Sequence, residues 1–312
     1  MKHLFIVNPT AGGQDKTAAI TAEVERVFAG RSEDFEVYTT KAPLDACKKI
    51  EYEAEMYEDL RVYACGGDGT LNECVSASVG RKNVSVTCYP TGTGNDFIKT
   101  FGEEKKLFHD LDALVNGEVH QIDVIECNDR YSINICSVGI DARIGTDVHK
   151  YSALPLIGGA TGYVTSAVVN FFKGIRDDLR VICDGKLYYG DINLICCCNG
   201  THYGGGFNPV PEARIDDGEM TCLLVKGISR LAFVKLVNAY AKGQYLRFPK
   251  YITPLHTTAL EIESEKELTF QLDGEVLHAK KVKLQLLPGA LNLIAPAGMA
   301  YFAKKTCECC EH

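Results

Sequence analysis

A chain of 312 residues with 46% hydrophobic and 24% charged side chains can bury a large core and is long enough for two domains. Its formal net charge of −8 and pI near 5.6 leave no basic footprint for duplex nucleic acid. No stretch reaches the ~18 uninterrupted apolar residues of a membrane span. The opening MKHLFIVNPTAGG meets Asn8-Pro9 too soon for a secretory signal. These features predict a cytoplasmic protein.

The first third alternates regularly. HLFIV (3–7), DFEVYTT (34–40), LRVYAC (60–65) and VSVTCYP (84–90) predict strands. Between them, 15–30, 43–58 and 70–80 carry helical spacing. A βαβαβαβ order implies a parallel sheet with helices on both faces, and ligands bind such sheets at the carboxyl ends of the strands. From about residue 118 strands dominate: 119–128, 130–139, 179–185, 187–200 and 219–227, then three more β segments after a helix at 229–243. That helix opens at Ser229 and closes at Gly243. The reading is α/β plus β: a domain over 1–121 and a mostly antiparallel β domain over 122–312, with the segment from about 290 to 312 allowed to return to the first.

Two segments have competing readings. LPLIGGATGYVTSAVVNFF (154–172) is broken by three glycines and Pro155, and reads as a buried or surface-dipping helix. In 238–252, Tyr240, Tyr245, Phe248 and Tyr251 alternate with Lys242, Arg247 and Lys250; this suits either an anionic lipid surface or ordinary packing on the core. Most of the 14 cysteines sit in strand-like apolar runs and read as reduced thiols acting as small hydrophobes. The tail CECCEH (307–312) reads as a frayed terminus, its spacing fitting no closed zinc site.

Three glycine-rich junctions follow strands: NPTAGG (8–13), GGDGT (66–70) and PTGTGNDF (90–97). Bare backbone lets successive N–H groups face one ligand, and a following helix N-terminus adds its dipole, so each is a ready anion cradle. Singly each is an ordinary turn; together on one sheet edge they point to a bulky anion. None is a P-loop or a GxGxxG fingerprint.

NPTAGG, GGDGTLNE, GTGNDF, GGGFNPVPEARIDDGEM (204–220) and LDGE (272–275) occur in this order, and with them the chain resembles the bacterial diacylglycerol kinase-like lipid kinases, relatives of sphingosine and ceramide kinases. The resemblance implies a three-layer α/β nucleotide domain like those of NAD kinases and 6-phosphofructokinases, a β-sandwich domain, and ATP between them. It assigns Asn8, Pro9, Thr10, Ala11, Gly12, Thr40, Gly66, Gly67, Asp68, Gly69, Thr70, Leu71, Asn72 and Thr93 to the nucleotide. It gives Asp68, Asp96 and Asp123 to a catalytic Mg²⁺ held through water, a sensible arrangement for an ion that dehydrates reluctantly. A structural Mg²⁺ takes the side chain of Asp217 and the carbonyls of Arg214 and Glu219.

By itself LDGEVL is a type I′ hairpin turn. The resemblance adds that Glu275 accepts the proton of the substrate hydroxyl, with Asp273 as partner, and a hairpin tip can present such a base. The implied activity is phosphorylation of a membrane-borne alcohol, above all diacylglycerol, by a peripheral enzyme that allows a homodimer. An NAD kinase shares GGDGT, but its Asn-Glu pair is expected well downstream, whereas LNE follows at once here. A non-catalytic nucleotide-binding regulator is disfavoured because Asp68, Asp123, Asp273 and Glu275 are all present.

Overall fold

In the computed structural model, residues 1–139, 177–204 and 206–303 are described. The segment 154–172 and the Cys-rich tail lie outside these residues. The chain forms two compact units, Met1–Ile122 with Gly289–His312, and Asp123–Pro288.

In the first unit the sequence alternation becomes β1 (Lys2–Val7), α1 (Thr17–Phe28), β2 (Asp34–Thr39), α2 (Asp45–Met56), β3 (Leu60–Gly66), α3 (Asp68–Ser78) and β4 (Val84–Pro90), followed by the short α4 (Leu111–Val115). The strands pair in parallel in the order β2-β1-β3-β4. Residues 292 and 293 extend that order, Asn292 opposite Ser85 and Leu293 opposite Val86, also in parallel. Every residue of β1 is buried, as expected of a central strand covered on both faces. Ile20, Val24, Val27 and Phe28 recur at helical spacing and are the buried side of α1.

The second unit is antiparallel. It contains β5 (Glu118–Cys127, entered from the first unit), β6 (Arg130–Ser132), β7 (Ile135–Gly139), β8 (Asp177–Cys183), β9 (Lys186–Cys198), β10 (Met220–Lys226), α5 (Arg230–Tyr240), β11 (Ile252–Thr257), β12 (Ala259–Leu272) and β13 (Glu275–Ala295, whose end lies in the first unit). The pairing path runs β11-β10-β9-β7-β12-β13, with β8 beside β9 and β12, and β5 beside β6 and β13. Period-two alternation divides the core: Cys136, Cys197 and Cys222 fall in one apolar cluster, while Ile135, Cys196, Cys198 and Leu223 fall in another with Leu236 and Tyr240 of α5. The cysteines thus serve as core side chains. All eleven described ones are free thiols, and ten are buried. Burial pushes the thiols of Cys65, Cys74 and Cys88 up, which keeps them protonated.

Two elements lie where the sequence reading assigns none, and one pair of competing readings is decided. Phe97–His109 is a 3₁₀ run kinked at Gly102; Phe97, Phe101 and Phe108 anchor it through ring contacts. β11 carries Pro254, which disguises it, yet it lies at the edge of the pairing order where proline is tolerated. Finally, Tyr240 and Tyr245 are buried, and Phe248 and Tyr251 pack against the same cluster. The rings of 238–252 therefore belong to the core, and the lipid-surface reading of that segment falls. No described helix is long and apolar enough to cross a membrane.

Candidate active site

The first unit gathers its glycine-rich loops at the carboxyl ends of β1, β3 and β4. Asn8 continues the pairing beyond β1, its N–H donating to the Cys65 carbonyl at 3.1 Å. Its Oδ1 accepts from the N–H and the hydroxyl of Thr10 at 3.0 and 2.8 Å, and its Nδ2 donates to Thr70 Oγ1 at 3.1 Å. One side chain thus ties the first loop to the start of α3. The Gly66 carbonyl accepts from the N–H groups of Thr91 and Gly92 at 2.9 and 3.1 Å, joining the second loop to the third. Packing here leaves no room for a side chain: a Cβ on Gly92 would lie 2.6 Å from the Gly67 Cα. At Gly12 a left-handed φ of 69°, and the 2.5 Å at which a Cβ would meet the Thr91 carbonyl oxygen, impose the same requirement.

The helix α3 starts at Asp68, two residues before the sequence pattern predicts, because Gly67 in extended conformation acts as its N-cap. Gly67 supplies no side-chain cap, so the positive end of the helix meets the loop cluster with bare backbone. Asp68 Oδ1 accepts the Asp96 N–H at 2.7 Å, and Asp96 Oδ1 accepts from Lys99 Nζ at 2.5 Å. Of the residues assigned to the nucleotide, Thr10, Gly12, Gly69 and Thr93 are exposed, whereas Thr70, Leu71 and Asn72 are buried. The latter three shape the cradle from beneath. Thr40 follows β2 and donates its N–H to the Val7 carbonyl at 2.9 Å, at the end of the neighbouring strand. Lys16 escaped the motif reading because it lies outside the glycine run; its Nζ reaches the Thr91 carbonyl at 3.3 Å, bringing a cation to the third loop.

In the second unit Asp273 and Gly274 both have positive φ, 47° and 96°, as a type I′ turn requires, and Leu272 pairs with Glu275 across it. The Asp273 carboxylate accepts from Ser132 Oγ at 2.7 Å and from the N–H groups of Ile133, Asn134 and Ile135 at 3.0, 3.2 and 3.0 Å. So many donors make it a fastening for the turn. Glu275 opens β13 with its side chain 43% exposed, enough to meet a ligand, and the Arg130 guanidinium lies 3.9 Å from its carboxylate.

Loop 213–220 brings a second acidic group together. Asp123 Oδ2 accepts the Gly218 N–H at 2.7 Å, Asp217 Oδ1 accepts the Glu219 N–H at 3.2 Å, and Arg214 grips Asp216 at 3.0 and 3.3 Å. Although Asp217 is exposed, partial desolvation, joined by the negative charges of Glu219, Asp123 and Asp216, raises its carboxyl above its ordinary range. Among the described residues no three His, Cys, Asp or Glu side chains converge as a metal cage. A single carboxylate with backbone carbonyls fits a largely hydrated hard cation and does not fit zinc.

Comparisons with known proteins agree with this architecture. Residues 2–127 match the diacylglycerol kinase catalytic domain, and residues 134–295 match the YegS C-terminal NAD kinase beta sandwich-like domain. A protein of Shewanella frigidimarina named "Probable lipid kinase YegS-like" is 30% identical over 79% of this chain and 80% of its own length. A diacylglycerol kinase of Staphylococcus aureus is 29% identical over 87% of this chain and 85% of its own. A diacylglycerol kinase crystal structure from Bacillus anthracis superposes with a TM-score of 0.69 at 23% identity, covering 96% of this chain and 98% of that one; it shows a shared fold. The chain, an α/β domain followed by an antiparallel β-rich one, belongs to the diacylglycerol kinase and YegS-like lipid kinase family.

Proposed function

We propose that the protein transfers the γ-phosphoryl group of ATP to the hydroxyl of a membrane lipid, with diacylglycerol as substrate and phosphatidic acid as product. The observation that carries this reading is the first unit's three amide-rich loops, held together at adjacent strand ends beside the uncapped start of α3. That arrangement suits a triphosphate, and the loops after β1, β3 and β4 supply its donors, with Thr40 and Thr93 at the margin. Asp217 with the carbonyls of Arg214 and Glu219 would hold a structural Mg²⁺, and Asp68 with Asp96 would serve another through water. When bound there, such an ion neutralises charge on the transferred group. Phosphoryl transfer otherwise asks the chain for positioning and a base. Asp273 holds the turn, and Glu275 accepts the proton of the lipid hydroxyl. The enzyme works at the membrane surface as a peripheral protein.

Incubation of the purified protein with γ-labelled ATP, Mg²⁺ and separated lipids tests the reading. Label is expected in phosphatidic acid. Label in another lipid would change the substrate, and label in NAD alone would replace the function. Glu275→Gln is expected to keep ATP affinity within about twofold and to lower turnover about 10²-fold or more. Normal turnover in that variant removes Glu275 from the role of base.

A further inference from the structure

The segment joining β6 to β7 is clamped from two directions. Its N–H groups, from Ile133 to Ile135, donate to the Asp273 carboxylate, and the Asp273 N–H answers with a bond to the Ile135 carbonyl at 3.1 Å. Its carbonyls face Asn199. The Nδ2 of Asn199 donates to the Ile133 carbonyl at 2.8 Å and to the Asp123 carbonyl at 3.0 Å. The N–H groups of Asn199 and Gly200 both donate to the Asn134 carbonyl, at 2.9 and 2.8 Å. Asn199 is wholly buried, and its Oδ1 accepts no hydrogen bond among the described residues. Because both contacts of the amide are acceptors, its orientation is fixed, and the position requires a donor.

We infer that Asn199 is a positioning residue for Glu275, acting through the backbone of 133–135 and the Asp273 carboxylate; this rests on the role proposed for Glu275. Asn199 touches no reacting group. It holds the Asp123 strand, which also receives the Gly218 N–H, to the backbone on which the Asp273–Gly274 turn is fastened. The turn then sets the direction in which Glu275 leaves it. A purely apolar residue at this position would fill the space and leave the Asp123 and Ile133 carbonyls without these donors.

The test compares wild type, Asn199→Ala, Glu275→Gln and the double variant. In Asn199→Ala, kcat is expected to fall roughly 10-fold or more while KM for ATP stays within about twofold, and the double variant should be no slower than Glu275→Gln alone. Losses that multiply, or a raised KM with kcat unchanged, would overturn the inference. Amide hydrogen exchange supplies an independent reading. Exchange in 131–136 and 271–276 should accelerate roughly 10-fold in Asn199→Ala, with β1 and β3 unchanged. Uniform acceleration, or no change at 271–276, refutes the linkage. If the wild type phosphorylates no lipid, the proposed function fails and exchange alone decides whether Asn199 controls the turn. Should Asn199→Ala not fold, Ser132→Ala removes one donor from Asp273, and unchanged exchange at 271–276 in that variant also overturns the inference.

Discussion

At 2.8 Å from the Tyr63 hydroxyl, Nδ1 of His3 has a partner, while Nε2, buried in the same place, has none among the described residues. Burial, assisted by the Arg61 charge, lowers the imidazole to about 4. An unfolded histidine titrates near 6.5, so the native state favours the neutral ring. The stability this gives is complete above pH ~6.5 and is lost as pH falls toward 4, on the order of 3 kcal/mol in total. Denaturant titrations at pH 7.5 and pH 5 should therefore diverge for the wild type and less for His3→Phe; equal slopes with pH would remove His3 as the cause. Asp217 has the opposite shift, a carboxyl whose ionised form is disfavoured by its surroundings. Mg²⁺ is expected to raise the Tm of the wild type more than that of Asp217→Asn, while without metal the variant is the more stable. The acidic run around Asp217 is plain in the sequence. The fastening role of Asp273 is not, because its donors lie 138 to 141 residues away and three of them are backbone groups that no motif records.

At the scale of elements, the parallel strands and α1 to α3 are legible because buried strands and 3.6-period helices alternate without interruption. Phe97–His109 is not legible, since its shape depends on aromatic contacts such as Phe101 with Tyr301, whose centroids are 4.9 Å apart. The position of the glycine loops is readable from their place after strands, but their mutual contact is not. Gly92 shows the consequence: a methyl group there would press on the Gly67 backbone, which cannot swing aside as a side chain can. Gly92→Ala should therefore weaken ATP binding about 10-fold or more by calorimetry, through displacement of the second loop. Unaltered affinity would show that the contact between these loops does not shape the nucleotide site.

For the whole molecule, the first unit is not continuous in sequence. Residues 289–303 return to it: Leu293 pairs with Val86, the Gly80 N–H donates to the Ala290 carbonyl at 2.9 Å, and the Ala297 N–H donates to the Ala113 carbonyl at 2.8 Å. Leu291, Leu293 and Ile294 are buried there. At about 1.5 to 3 kcal/mol per buried side chain, the three contribute roughly 5 to 9 kcal/mol, comparable to an entire domain's stability of about 5 to 15 kcal/mol. A fragment ending at residue 122 is thus expected to show no cooperative thermal transition, and linkage to residues 289–303 should restore one. During synthesis the consequence is temporal. A ribosome releases residues 1–122 early, but they must wait until residues 289–303 are made before their sheet acquires its last strand. A chain that stops before residue 289 would therefore carry all three glycine loops on a sheet that lacks the strand beside Ser85 and Val86.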